Sequence, residues 1–483
     1  MKRFASIAML FAMVFGFAAM AAAATEVKMT GDARIHANFW SDINYTGWNA
    51  KGTNTGDPLT IWERFRLRSD FIASEGLKFR FGIRVNNKAW GNDTFTVDNP
   101  ATSIDVYQSY LQFKWPSTNV EFTVGLQDID LPISSNALLN SNPVFGGTRA
   151  AAAVVAVPVT DQFKAVAGFT RLLDTNKDFD PTTRQVADEF DGYFLMLPIT
   201  LDGFSATPWG MLAVAGRDAG YSTAVGSSPR FTDQSLATNL ASAAYALSPS
   251  GFKQAQTVFW WVGSSFAVTA LDPFKFYADV MYGEGAGNQG SRQRAGMFFD
   301  VATEYTGFDL LTPQLTFWYS TGENGSMRDG SERMPTVVGS WGPSTSFLFD
   351  SSQAFAGGHM GLNPVGSWGL AFSLNKISFV QDLTHRLTFS YARGTNQARA
   401  LRDANALWGL GNYVQMGRDL TVNEYVMAVN FDNQYNIYEN LAAIVEAGWA
   451  HGDFQSSVWG RRLVNQAKDG DAWKVAFGLQ YKF

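Results

Sequence analysis

AWKVAFGLQYKF, Ala472 to Phe483, forms the last twelve residues of this 483-residue sequence. Trp473, Val475, Phe477, Leu479, Tyr481 and Phe483 alternate without a break against Ala472, Lys474, Ala476, Gly478, Gln480 and Lys482. A period of two over this length predicts a β-strand with one apolar face and one polar or small face. In a soluble sandwich the apolar face would be core, yet a last strand seldom needs six large apolar residues there. In a transmembrane barrel the same pattern is obligatory, because each strand turns one face to lipid and the other to a wet lumen. A slip of one residue would turn Lys474 and Lys482 toward lipid, at about 2–4 kcal/mol per lysine near the midplane. The pattern therefore fixes the register as well as the element.

The first residues have the grammar of an export signal. Lys2 and Arg3 form a basic start, Phe4 to Met20 an apolar run, and Ala22-Ala23-Ala24 a small-residue cleavage site. Residues 1–24 are thus expected to be a signal peptide and 25–483 a single barrel domain. The chain carries a net charge of −6, or −8 without Lys2 and Arg3, so nothing suggests a nucleic-acid partner. It has no Cys, hence neither a lipidated cysteine nor a disulfide framework. No later apolar stretch reaches the roughly 18–20 residues that a spanning helix needs. With 39 Phe, 16 Tyr, 15 Trp and 45 Gly, the composition suits an aromatic-girdled barrel, and no composition shift or linker divides it.

Working back through the chain, the alternation recurs. Val27 to Phe39, Thr60 to Ile72 and Leu77 to Val85 read as three strands, the last two joined by Ser74-Glu75-Gly76. Further segments lie near 103–115, 120–127, 148–158, 162–171, 188–198, 207–217, 256–268, 274–284, 292–305, 312–322, 370–380, 384–394, 423–432 and 441–451. With the terminal strand the count is 18; the weakly patterned 148–158 and 188–198 leave 16 as the alternative. Short turns alternate with long loops, the asymmetry of outer-membrane barrels, and 228–246 is expected to carry a short helix. Closure would pair the first strand with the last and leave no edge. Trp40, Trp62, Trp90, Trp115, Trp209 and Trp318 fall near strand ends, where an aromatic girdle belongs.

The most informative polar feature is basic. Arg34, Arg64, Arg66, Arg68, Arg80 and Arg84 share the inward parity on the first three strands. If Asp70 pairs with Arg80, Arg66 faces Arg84; a shift of two residues instead sets Arg64 against Arg84 and Arg68 against Arg80. Guanidinium groups cannot relieve such crowding by losing a proton, so water, anions or carboxylates must accommodate it. A water-filled lumen allows that better than a packed core does. Candidate counter-charges follow the fifth strand, in Asp128-Ile129-Asp130-Leu131-Pro132 through Pro143-Val144-Phe145-Gly146-Gly147.

At this point the sequence resembles a known family. The terminal Phe483, with Tyr481, resembles the C-terminal assembly signal of Gram-negative outer-membrane proteins, which implies the barrel assembly machinery as a partner. Pro143-Val144-Phe145-Gly146-Gly147 is similar to the Pro-Glu-Phe-Gly-Gly of general-diffusion porins, at the equivalent point in strand order. Val144 replaces the glutamate, leaving Asp128 and Asp130 to supply negative charge. The whole chain looks like the homotrimeric porins of sulfate-reducing bacteria. The resemblance implies an all-β transmembrane barrel in the outer membrane, bedded in lipid, with its third loop folded into the lumen. It implies a non-enzymatic channel, without cofactor, for passive diffusion of small hydrophilic solutes and ions through a constriction with a transverse field. A weak anion preference is expected.

Other readings are less well supported. Asp174, Asn176, Asp178 and Asp180 alternate like the start of a calcium loop, but Phe179 occupies the position that needs Gly and Gln185 the twelfth. A substrate-selective channel would need an aromatic ladder in the lumen, for which only Trp261, Trp318 and Phe298 qualify. A barrel phospholipase or protease would need a Ser-His or Asp-His constellation; His385 and His451 are the late candidates, and the sequence shows a partner for neither. His36 takes the inward parity of a lumen residue. An energy-coupled receptor would need a large plug ahead of the first strand.

Overall fold

The alternating segments form strands, and the strands form one closed sheet. In the computed structural model, residues 25–42, 45, 59–92, 94–134, 141–175, 187–221, 235–243, 255–285, 294–326, 329–339, 341–343, 345–349, 355, 360–467 and 471–483 are described. The strands are β1 (Glu26–Ser41), β2 (Leu59–Ser74), β3 (Leu77–Ala89), β4 (Asp105–Lys114), β5 (Glu121–Ile129), β6 (Thr148–Pro158), β7 (Lys164–Asp174), β8 (Glu189–Met196), β9 (Ile199–Leu201) and β10 (Phe204–Gly216). They continue as β11 (Gln256–Val268), β12 (Phe274–Gly285), β13 (Arg294–Tyr305), β14 (Thr312–Ser320), β15 (Ser367–Val380), β16 (Leu383–Gly394), β17 (Tyr425–Tyr438), β18 (Leu441–Asp453) and β19 (Ala472–Lys482). Because β8 and β9 both pair with β10, they occupy one position in the wall. The barrel is therefore an antiparallel one of eighteen strands, the count expected from periodicity, and 148–158 and 188–198 are both part of it.

Closure runs through the terminal stretch. β19 pairs with β1 from Asp32↔Lys482 to Ser41↔Trp473, and Gly31 and Phe483 exchange backbone hydrogen bonds of 2.8 and 3.1 Å. The two faces of β19 separate as its alternation requires: Phe477 is 58 % exposed, Lys474 1 %. The outward residues of the other strands, including Phe79, Leu212, Val280, Phe372 and Phe431, are also exposed. A continuous apolar exterior on this scale suits hydrocarbon, not water. No described helix is long and apolar enough to cross a membrane.

Antiparallel neighbours place short turns such as 75–76, 202–203, 381–382 and 439–440 on one rim. The long connections 130–147 (L3), 217–255 (L5), 321–366 (L7), 395–424 (L8) and 454–471 (L9) share the other. L5 carries α1 (Leu236–Leu240), capped by Ser235, where a short helix is expected. L8 carries α2 (Ala398–Trp408), and L9 carries α3 (Ser456–Trp459) and α4 (Arg461–Ala467). The apolar core lies inside the barrel, under L3, L5 and L7.

Two expectations need correction. Trp40, Trp209 and Trp318 are 2, 5 and 0 % exposed and face inward, so they belong to the interior and not to a girdle. Position near a strand end does not decide the face; parity does. Trp90 and Trp115, at 46 % each, do lie on the exposed side. Second, Trp318 and Phe298 do not stand alone in the lumen: with Trp341 and Phe349 from L7 they make one buried cluster, with ring centroids 5.1 to 5.7 Å from the next ring, while Trp261 stacks on Phe259 at 6.2 Å.

Candidate functional site

The arginine wall follows from the register of the first four strands. Asp70 faces Arg80 and Arg66 faces Arg84, the first of the two registers considered, while Arg34 faces Arg64 across β1 and β2. Asp32 lies between two of these cations: Arg64 Nη2 is 2.5 Å and Arg66 Nε 2.6 Å from its carboxylate. Asp70 receives Arg80 through two hydrogen bonds of 2.6 Å, the bidentate geometry that guanidinium favours. Arg34, Arg68 and Arg84 make no salt bridge among the described residues. Arg84 instead lies over the Tyr107 ring at 5.4 Å, whose neighbour on the same ring, at 4.8 Å, is Arg149. Arg149 was not singled out by parity, because β6 is almost wholly Ala and Val and its cation stands alone.

Counter-charge is placed differently from the expectation. Asp128 belongs to the wall strand β5, not to the loop; it accepts from Gln108 Nε2 at 2.6 Å and pairs with Arg149 at 2.7 Å. Asp130 is the acid at the base of L3, and its carboxylate accepts the Gly147 N–H, clasping the two ends of the loop. Toward the end of L3, Val144 and Phe145 are fully buried. The negative partners of the arginines are therefore Asp32, Asp70 and Asp128 on the same wall. Parity could have shown this, since Asp32 and Asp70 share the inward face with the arginines.

L3 does enter the barrel, but it does not do so alone. Leu131 N–H donates to Phe145 O at 2.9 Å, closing the loop. Val337 N–H then donates to Val144 O and Gly146 N–H to Val338 O, both at 2.8 Å, so Pro143-Val144-Phe145-Gly146 is seated on L7. Gly339 permits this approach, for a Cβ there would collide with the Pro143 carbonyl. Each loop is held to the wall by a carboxyl. Asp279 accepts the Ser134 N–H at 2.7 Å and the Ser134 hydroxyl; Asp300, its cross-strand partner, accepts Trp341 Nε1 at 2.9 Å. Trp261 Nε1 donates to Pro335 O at 2.8 Å.

The wall beside the arginines, β16–β19, which closes onto β1, is sealed by the same loop. Lys474 Nζ lies 2.7 Å from Glu446 and 2.9 Å from Ser346 O, with both side chains fully buried. Asp432 accepts from Arg386 at 2.6 Å and from Ser346 Oγ at 2.7 Å, and Asn430 accepts from Thr345 Oγ1 at 2.6 Å. Strands β17 and β19 thus hold residues 345–346 of L7, with Arg386 of β16 and Glu446 of β18 pairing the charges that do so. The consequence is an asymmetric lumen. Inward residues of β12–β14 and β16–β19, such as Asp300, Thr316, Thr388, Asn430, Glu446 and Lys474, are covered, whereas Arg64, Arg66, Arg68, Arg80 and Arg84 are half-buried.

The remaining candidates come out as follows. Asp174 is bound by Arg171 at 2.7 Å, and Asn176, Asp178 and Asp180 lie outside the described residues. No group of three or more metal-ligating side chains occurs among the described residues. His36 is buried inside, stacked on Phe355 with ring centroids 4.5 Å apart. His451, unlike the expectation from sequence, has a carboxylate partner: its Nδ1 is 2.6 Å from Asp471. Its ring neighbours are Trp449 and Tyr425, with centroids 6.3 and 6.4 Å away. His385 Nδ1 meets Asn433 Oδ1 at 2.5 Å. At the closure, the Phe483 ring stacks on Phe65 and on Tyr481 at 6.3 and 5.7 Å.

No family model matches the sequence, and no curated protein does. Solved structures do. The outer-membrane protein OprD from Pseudomonas aeruginosa superposes with a TM-score of 0.50 at 11 % identity, over 96 % of both chains. OccK5 (OpdH) of the same organism gives 0.50 at 11 %, over 95 % of this chain and 98 % of that one. OccK3 (OpdO) gives 0.50 at 9 %, over 94 % and 96 %. These neighbours are Gram-negative outer-membrane porins, and the likeness covers the whole barrel: the chain has their fold.

Proposed function

We propose that this chain is an outer-membrane porin, a water-filled channel through which small hydrophilic solutes and ions diffuse passively. The carrying observation is the asymmetry of the lumen, in which L7 and L3 cover one wall and leave the arginine wall partly open. The solute path then runs beside Arg64, Arg66, Arg68, Arg80 and Arg84, with Asp32, Asp70 and Asp128 interleaved. Preorganised charges of both signs along a narrow aqueous path order its water and favour polar solutes over apolar ones. Arg68 and Arg84, without a paired carboxylate among the described residues, bias the path toward anions. The chain acts without cofactor or chemical step, is delivered by an export signal and the barrel assembly machinery, and works as a homotrimer.

The test is single-channel conductance in a planar bilayer, followed by a salt gradient. Persistent ohmic openings that close in three equal steps, with a reversal potential of anion sign, are expected. The double variant Arg68→Glu/Arg84→Glu should move the reversal potential toward cations and leave folding intact. No conductance from folded, heat-modifiable protein would overturn the channel, and a cation-sign reversal would overturn the selectivity. A substrate-selective channel is the second reading, favoured by the same asymmetry, since a path narrowed to one wall discriminates by shape. Saturation of the current by one small solute would distinguish it.

A further inference from the structure

Away from the arginine wall, where L5, L7 and L8 meet the long-loop end of β13, a cavity of about 20 Å³ is enclosed by Thr238, Asn239, Arg294, Arg333, Thr336 and Arg418, among others. All three arginines are nearly inaccessible to solvent, at 3, 3 and 5 %. Their hydrogen bonds show how the charges are matched. Arg418 donates from Nε to Asp419 at 2.8 Å, and Arg333 from Nη2 to the same carboxylate at 2.7 Å. Asp419 also accepts the Gln415 N–H and the Asn363 amide at 2.9 and 3.1 Å, so it is fully engaged. Among the described residues Arg294 reaches no carboxylate; its donors end on the carbonyls of Arg333, Thr238, Ala241 and Met334. The Nε of Arg333, buried in the cavity lining, has no hydrogen-bond partner.

Among the described residues, three guanidinium groups are therefore enclosed with two carboxylates, Asp419 and the buried Glu323, whose own bond is to Ser331 Oγ. A buried cation without a counter-charge is costly, and arginine does not escape by deprotonation. We propose that the cavity binds one small inorganic anion, a halide of chloride size, bridging the Arg333 Nε and the Arg294 side. The volume sets the size class: it exceeds the roughly 10–15 Å³ that a single water needs and excludes organic carboxylates. The ion would join three loops, through Thr238 and Asn239 of L5, Arg333 and Thr336 of L7, and Arg418 of L8. It is a structural ion for the loop assembly, separate from the solute path.

The experiment is a bromide soak of crystals of the full-length barrel, located by anomalous scattering, with loop stability measured in parallel. An anomalous peak in the cavity at hydrogen-bond range of Arg333 Nε is expected. Protease resistance of L7 should rise with the logarithm of bromide concentration at constant ionic strength, gluconate being the replacing salt. Asn239→Asp supplies a fixed carboxylate at the cavity wall and should abolish both the peak and the bromide dependence while keeping L7 resistant. Water density without anomalous signal overturns the proposal, as does halide dependence that Asn239→Asp leaves unchanged. Conductance is read on the same samples, so a failed channel assay and a failed anion site are distinguishable.

Discussion

Lys474 and Glu446 show how far parity at single residues reaches. A lysine in the apolar half of a membrane barrel is acceptable only if it faces inward, and once covered there it needs a partner. Glu446 on β18 supplies it at 2.7 Å. Exchanging such a pair for apolar residues is often neutral, whereas removing one member leaves an uncompensated buried charge, at about 3–5 kcal/mol. Glu446→Gln is therefore expected to lower the unfolding free energy of the heat-modifiable form by about 3–5 kcal/mol, read from the shift of its urea unfolding curve. Lys474→Met/Glu446→Leu should recover most of the loss, measured by the same unfolding curve. At this scale the sequence is highly legible: Lys474 is inward because its neighbours Trp473 and Val475 must be outward. Its partner was not legible, because Glu446 lies one strand and one loop away.

Among the elements, the loops decide the function. L3 and L7 are joined by two backbone hydrogen bonds at the Gly339 approach. Gly339→Val should part them, and single-channel recordings should then show a larger conductance with added flicker. The loop assembly also carries a pH dependence. Burial pushes the Asp419 carboxyl upward, but Arg418 and Arg333 outweigh it and hold the group at about 2, below its ordinary 3.8. A depressed carboxyl contributes stability above the unfolded value and loses it as pH falls through the folded one. L7 and L8 are thus expected to loosen between about pH 4 and 2, seen as faster amide exchange at 413–419 while the barrel strands stay protected. Burial moves Glu323 and Glu424 the other way, so they add stability as pH falls toward their ordinary 4.5, above the window in which the Asp419 contribution is lost.

For the whole molecule, closure is the cooperative event. Phe483 contributes two backbone hydrogen bonds to Gly31 and a ring against Phe65, so it secures the seam between the first and last strands. Deletion of Phe483 is expected to lower the yield of heat-modifiable barrel several-fold in membranes, measured by the electrophoretic shift between boiled and unboiled samples. Detergent-refolded protein should lose less, since the refolding does not depend on recognition of the chain end.

The faces of the strands were set locally, and the strand number to sixteen or eighteen. A period of two against lipid admits one choice of faces per strand, but it left two registers for β2 on β3, and the structure takes the one that sets Asp70 against Arg80. The site was only half determined in this way. The arginine wall, with its partners Asp32 and Asp70, is a local property of three adjacent strands, whereas the docking of L3 on L7 and the covering of β16–β19 by L7 join residues up to about two hundred positions apart. Irregular loops have no periodicity from which to infer their partners. Trp341, Ser346 and Val338 acquire their roles only when the closed sheet brings Asp300, Asp432 and Phe145 to meet them. Sequence alone determined that this chain is a barrel and which side of each strand is wet; the tertiary structure decided how much of that wet interior stays open.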